Sequence, residues 1–465
     1  MTEYYYGQKE PMENDAMVRT LDTQARAIWP QEKTILKRIF TRNGLGVLDV
    51  GCGTGEIASR IVNEFAPAHV TGIDLDARKT EAITAGRSYI QDVATASLAP
   101  LVASGHLRAT TDFAIIRELD TINICVPTPL RKTKDPDMSF IDASSREIAK
   151  YLHPGMLVIL ESTTYPGTTD EMLLPILEEA SGLKVGVDFF VCFSPERVDP
   201  GNPNFHTKNI PKVVGGITPA CTEAGAAFYR MALDTVVPVG STRVAEMVKL
   251  LENTFRMINI GLVNELAVMC DRMGINVWEV IDAAKTKPFG YMAFYPGPGL
   301  GGHCIPVDPY YLSWKSKQAG IEARFIELAG YINGQMPHFV VDKIQNALND
   351  HSKSLKGSHV HILGVAYKRD IDDVRESPAL DIIHLLQARG TRVTYSDPYV
   401  KKCRIESTGE LVAQDSLAMA ATADCVVCVT DHVAFDYAAV LEKSILIVDT
   451  RNAFKNFPSD KIVTL

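Results

Sequence analysis

The chain has 465 residues, 46% of them hydrophobic and 22% charged, enough for several buried cores. Its net charge of -9 argues against a nucleic-acid or anionic-membrane partner, because neither attracts an acidic chain that lacks a concentrated basic patch. The opening "MTEYYYGQKEPMEND" has no basic segment leading into an apolar one, and no long uncharged apolar run follows, so the expectation is a cytoplasmic protein with no membrane span and no bound metal.

In chain order, residues 1–45 read as a polar N-terminal extension carrying one helix, Pro30 to Arg42, with Ile35, Leu36, Ile39 and Phe40 as its apolar stripe. From residue 46 strands and helices alternate. "GVLDV", "HVTGIDL", "TINICVP", "MLVILES", "FFVCFSP" and "PKVVGG" are short, β-branched runs with helical segments between several of them, the pattern of a doubly wound parallel sheet over residues 46–240. Ser241 to Met273 then runs without proline and is apolar on more than one face, which predicts a long central helix buried on several sides and packed on a second copy of the chain. It opens a central region over 241–335 that contains the loop around Cys304. A second alternating segment, 356–465, with strands near "SHVHILG", "RVTYSD", "ADCVVCVT" and "SILIVDT", reads as a smaller Rossmann-like domain. The fold class expected is therefore α/β: two Rossmann-like doubly wound domains joined by a long central helix.

Nine cysteines without repeated spacing point to free thiols in a reducing compartment. Cys425 and Cys428 form a CxxC, but in a β-branched run that reads as a strand, where residues three apart face opposite sides. Cys304 is different. It sits in "GPGLGGHCIPVDP", where glycines allow close backbone approach to a ligand and prolines fix the loop, so a nucleophile suits it better than a packing role. Asp308 follows four residues later. On the long helix, Lys249, Asn253 and Arg256 form a polar stripe on an otherwise apolar cylinder and need partners that a ligand cleft would supply.

"INICVPTPL", "ESTTYPGTT", "FSPERVDPGN", "KLLENTFRMINIGLVNE", "PGPGLGGHCIPVDPYYL" and "LGVAYKRDIDDVRESPALDII" occur in this order, and over about residues 77 to 465 the chain resembles the UDP-glucose/GDP-mannose dehydrogenase family. It is most similar to the UDP-N-acetylhexosamine branch, the UDP-N-acetylglucosamine 6-dehydrogenases among them. The resemblance implies oxidation of the C6 alcohol of a UDP-sugar to a carboxylate, in two hydride transfers to NAD, by a homodimer or higher homo-oligomer. It implies that Cys304 forms a thiohemiacetal and then a thioester, that Lys249 and Asn253 stabilise charge on the C6 oxygen, and that Asp308 handles protons or positions water. Thr163 and Glu196 would line the same pocket, and Pro127, Thr128 and Thr163 would face the cofactor. Arg197, Arg256, Tyr295, Gly301, Lys368 and Arg375 would join Glu196, Lys249 and Asn253 on the substrate. One departure narrows the sugar: where some UDP-glucose enzymes have a second glutamate just after the Glu196 position, this chain has Asp199 and Pro200.

The stretch Val47 to Ile61, "VLDVGCGTGEIASRI", departs further. A dinucleotide turn reads Gly-x-Gly-x-x-Gly; here Gly51, Gly53 and Gly55 are followed by Glu56 in the third-glycine place, putting a carboxylate where pyrophosphate would bind. Residues 15–76 instead resemble the start of a class I S-adenosylmethionine-dependent methyltransferase, whose cofactor is a sulfonium cation without phosphate. Asp74, ending the second strand, would hold ribose hydroxyls in either family. The leading expectation is the dehydrogenase. The alternatives are a methyltransferase acting through the N-terminal segment and a nucleotide-sugar-binding chimera with impaired turnover.

Overall fold

The computed structural model describes residues 46–50 and 69–465 except 90–92, 132, 200–201, 203, 206, 303 and 406–408, residues 46–50 as backbone. The expected helix Pro30–Arg42, the rest of the N-terminal extension, and Gly51, Gly53, Gly55 and Glu56 lie outside the described residues. The described chain forms two compact units, one ending at Glu252 and including Trp314–Ala319, the other made of Asn253–Ser313 and Gly320–Leu465.

In the first unit, β1 (Gly46–Val50), β2 (His69–Ile73), β3 (Leu107–Thr110), β4 (Thr121–Ile124), β5 (Leu157–Leu160), β6 (Phe190–Phe193), β7 (Lys212–Gly216) and β8 (Val236–Val239) form one sheet in the order β3-β2-β1-β4-β5-β6-β7-β8. Strands β4 and β5 are buried at every position because helices cover both faces, which is why "TINI" and "LVIL" are nearly continuous apolar runs rather than alternating ones. β1 pairs in parallel with both β2 and β4, so the strand order reverses beside it. The doubly wound reading holds, and the sheet departs from all-parallel at one pair. β6 and β7 are antiparallel, and the described residues between them hold no helix, so the chain returns without the crossover that a parallel pair requires. Gly215 on β7 is obligatory: a Cβ there would lie 2.1 Å from the Ser241 carbonyl oxygen, where the chain enters the central helix.

That helix, Thr242–Met273, has 32 residues, as its unbroken sequence predicts. In the second unit β9 (His359–Leu363), β10 (Arg392–Ser396), β13 (Cys425–Cys428), β14 (Ile447–Asp449) and β15 (Ile462–Thr464) form a parallel sheet ordered β10-β9-β13-β14-β15, with β11 (Lys402–Ile405) and β12 (Gly409–Val412) as a separate antiparallel pair. Cys425 and Cys428 are free and buried in β13, in the cores on its two opposite faces, so the CxxC is structural. The 27-residue helix Arg324–Asp350 packs beside the later part of the central helix, and the buried Asn264 joins them: its Nδ2 donates to Asn333 Oδ1 at 2.8 Å and its Oδ1 accepts from Gly297 N at 2.9 Å. This amide therefore anchors the loop that leads to Cys304. Among the described residues no helix is long and apolar enough to cross a membrane.

Candidate active site

In the first unit the predicted residues cluster at the carboxyl ends of strands, where open α/β sheets bind ligands. Asp74 follows β2, and its carboxylate accepts from Asp76 N at 2.8 Å and pairs with Lys79 Nζ at 2.8 Å. A carboxylate held at this point, beside the reversal of strand order, fits the ribose of a dinucleotide. Pro127 and Thr128 lie in the loop after β4, the former exposed and the latter buried. The Ser162 hydroxyl after β5 ties the two loops, accepting from Val126 N and donating to Val126 O, each at 2.8 Å. Thr163 is half-buried; the adjacent Thr164, which the sequence reading passed over, is 1% exposed, and its hydroxyl has no hydrogen-bond partner among the described residues. A buried polar atom in that state calls for a ligand or ordered water.

The loop after β5 is pinned by another residue missed in the sequence. Glu246, fully buried on the central helix, accepts from Gly167 N at 2.6 Å, Thr169 N at 2.9 Å and Thr169 Oγ1 at 2.7 Å. Three residues on, Lys249 is also buried, and its ammonium donates to the Glu196 carbonyl at 2.5 Å. The Glu196 carboxyl takes the N–H groups of Arg197 and Val198 at 2.7 and 2.8 Å and approaches Lys212 Nζ at 3.5 Å. Desolvation pushes this carboxyl toward its neutral form, but Lys212 and those two N–H groups outweigh it and hold its pKa below the ordinary range. Arg197 does not point its charge at open space: it forks onto Glu252, at 2.5 and 3.3 Å, and donates to Pro211 O at 2.6 Å.

The second unit carries the nucleophile candidate. Cys304 is exposed, and its carbonyl accepts from Val307 N at 3.1 Å and Asp308 N at 2.8 Å, so it launches the helix Asp308–Gln318. Asp308 is 3% exposed and accepts from Asn253 Nδ2 at 2.5 Å, which brings together two of the predicted residues. Gly302 has φ +87°, donates to Arg375 O at 3.0 Å and lies against the Tyr367 ring, where a Cβ would come within 2.8 Å of it. Only glycine fits there. Gly301 packs on the same tyrosine. Arg375 is bidentate to Asp373, whose hydrogen bonds raise the guanidinium pKa against the opposing effect of burial, with Cys304 among the smaller contributors. Lys368 lies half-buried in the loop after β9. Arg256 is exposed on the central helix, so the expected polar stripe reduces to Lys249 and Asn253 as its buried members.

Tyr295 lines a separate cavity of about 440 Å³ with Trp278, Arg369, Asp431, Tyr437, Arg451 and Lys455. Its ring stacks on Trp278 with centroids 6.0 Å apart, and its hydroxyl donates to Asp282 at 2.7 Å. Arg451 donates Nε to Val429 O at 2.9 Å and makes no ion pair among the described residues, because the neighbouring Asp449 spends its oxygens on the N–H groups of Arg451 and Phe454. Burial depresses the Arg451 pKa accordingly. The Trp278 indole N–H is buried and has no hydrogen-bond partner among the described residues. A cavity that sets Arg451 and Lys455 among aromatic walls, beside the Arg369–Asp431 pair and Asp282, suits an aromatic base carrying a diphosphate. The sequence signals for Arg451 and Lys455 were single basic residues in loops, with nothing local to distinguish them.

The fold is that of a nucleotide-sugar dehydrogenase. Family models match the chain in three consecutive parts: the NAD binding domain of the UDP-glucose/GDP-mannose dehydrogenase family over residues 47–233, its central domain over 243–335 and its UDP binding domain over 361–456. UDP-N-acetyl-D-mannosamine dehydrogenase of Salmonella typhi is 35% identical over 394 residues, 82% of this chain and 92% of that protein. NDP-N-acetyl-D-galactosaminuronic acid dehydrogenase of Ralstonia solanacearum is 34% identical, covering 86% and 94%. The solved UDP-D-ManNAc dehydrogenase of Pyrococcus horikoshii superposes with a TM-score of 0.81 at 31% identity, covering 90% of this chain and 98% of that one. The chain belongs to the UDP-glucose/GDP-mannose dehydrogenase family, and NAD is its cofactor. The match to the NAD binding domain begins at residue 47 and so takes in Val47 to Ile61, the glycine-turn part of the residues 15–76 that the sequence reads as methyltransferase-like.

Proposed function

We propose that this protein oxidises the C6 alcohol of a UDP-N-acetylhexosamine to the uronic acid, with UDP-N-acetyl-D-mannosamine as the first substrate to test. The observation that carries this reading is the exposed Cys304 on a loop fixed by Gly302, with the Cys304 carbonyl accepting from the N–H of Asp308, itself buried and held by Asn253. The sugar class rests on the relatives, whose names specify N-acetylated sugars, and on the absence of a second glutamate after Glu196. The cavity around Arg451 and Tyr295 would hold the uridine diphosphate. Asp74 would hold the adenosine ribose of NAD, which when bound accepts one hydride at each oxidation.

Lys249 and Asn253 would donate to the C6 oxygen as the alcohol gives up its proton, through Asp308 to water, and its first hydride, which leaves the aldehyde. The Cys304 thiolate then adds to the aldehyde carbon, forming a C–S bond and a thiohemiacetal; loss of the second hydride leaves a thioester. Water adds to its carbonyl, Asp308 accepting the proton, the C–S bond breaks and the thiol is restored. Glu196 and Thr163, at the strand ends of the first unit, would border the substrate. The apolar outer face of the central helix would bury itself in a homodimer.

The test is the Cys304→Ser variant, whose hydroxyl is far less ionised at neutral pH than a thiol. It is expected to bind the UDP-sugar with unchanged affinity and to lose acid production by at least about a hundredfold, within the scale at which removing a catalytic group acts. Acid formed at the wild-type rate by this variant would overturn the covalent role.

A further inference from the structure

Lys212, at the start of β7, has no part in the reading above. Its side chain is 5% exposed, and its ammonium lies 3.6 Å from Glu161 Oε1 and 3.5 Å from Glu196 Oε2. We propose that Lys212 is a positioning residue of this enzyme, which fixes Glu196 as a charged, correctly aimed carboxylate at the end of β6. The inference rests on the reading that Glu196 borders the substrate.

The geometry has a fixed end and a free end. Glu161, 6% exposed after β5, is saturated: Asn123 Nδ2 donates to it at 3.1 Å, the Cys125 thiol at 3.5 Å, and the Tyr229 hydroxyl also donates to it. These donors come from β4, the loop after it and the helix Pro219–Arg230, so Glu161 has no freedom to turn. The Tyr229 ring adds a face 5.1 Å from the Lys212 ammonium. A buried ammonium is expensive unless paired, and two carboxylates flank this one. Burial works against its charge, yet Glu161 and Glu196 more than offset that and raise its pKa. At the other end the Glu196 side chain is 46% exposed, so one carboxylate of the pair faces outward while its partner is sealed in.

Other charged groups near Glu196 are committed elsewhere. Arg197 is forked onto Glu252, and Lys249 donates to the Glu196 carbonyl rather than to its carboxyl. Lys212 is therefore the cation in direct contact with the carboxyl, and Lys249 is a smaller electrostatic contributor to its charge. A purely structural ion pair would contribute stability and leave the pH dependence of turnover alone. A positioning pair predicts more.

The experiment measures kcat/KM for the UDP-sugar from pH 5 to 9 in the wild type, Lys212→Met and Lys212→Arg, with thermal melts to confirm folding. In the wild type the Glu196 limb lies below this range. Lys212→Met is expected to bring an acid limb into it, displaced upward by about one to three pH units, the effect of one close opposite charge, and Lys212→Arg to restore the flat profile. If Lys212→Met does not fold, the Lys212→Gln, Glu161→Gln pair removes both buried charges and is expected to show the same limb. A folded variant whose loss is uniform across pH would overturn the proposal. A wild type that does not oxidise any UDP-sugar would overturn the functional reading instead.

Discussion

Cys304 and Glu196 show how unequally single residues declare themselves. Cys304 is surrounded by glycine and proline, so its loop announced a chemical role before any packing was known, and Lys249 and Asn253 stood out as polar residues on an apolar helix. Lys212, Glu161, Glu246 and Arg451 were illegible because their partners come from other strands and helices, brought alongside by crossovers that no local spacing encodes. Glu56 remains the residue whose sequence signal is strongest against the family pattern. Replacing it with glycine restores the Gly-x-Gly-x-x-Gly spacing and removes a carboxylate that the motif would set against pyrophosphate, so Glu56→Gly is expected to tighten NAD binding several-fold, on the order of 1 kcal/mol. Calorimetric titration checks it; unchanged or lost affinity in a folded variant would mean that this turn does not handle pyrophosphate.

At the scale of elements, strand identity was legible wherever β-branched runs were continuous, and the direction of β7 was not, because antiparallel return depends on what the intervening loop fails to form. β9 carries a further consequence. His361 is fully buried there, with Nδ1 2.8 Å from Thr394 Oγ1 and Nε2 2.9 Å from Ser396 Oγ. The Ser396 hydroxyl donates to Gln414 O at 2.7 Å, so it accepts from Nε2–H, and Nδ1 is left to accept from Thr394. This network holds a neutral ring. Burial, with His359 as a second cause, lowers the His361 pKa from 6.5 to about 3. Between those values the unfolded chain binds a proton that the folded ring refuses, so stability rises with pH across this window and is lost as pH falls through it, at up to about 1.4 kcal/mol per pH unit. Urea midpoints at pH 7 and pH 5 should therefore separate more in the wild type than in His361→Asn; equal separation would show that His361 does not set the acid limb.

Across the whole molecule, the central helix leaves Val244, Leu251, Phe255, Leu262, Leu266, Met269 and Met273 exposed at spacings that place them on one side. An exposed apolar stripe of that length is a protein interface in most soluble proteins, and self-association through the same face gives a two-fold dimer. Sedimentation should find a dimer at micromolar concentration, and Leu262→Asp with Leu266→Asp should convert it to monomer while each unit stays folded; a wild-type monomer would contradict this. The central claim concerns the reaction itself. With UDP-N-acetyl-D-mannosamine and excess NAD, the account predicts two NADH formed for each sugar consumed, with the UDP-linked uronic acid as the product. One NADH per sugar with a released aldehyde, or no NADH with any UDP-N-acetylhexosamine, would contradict it.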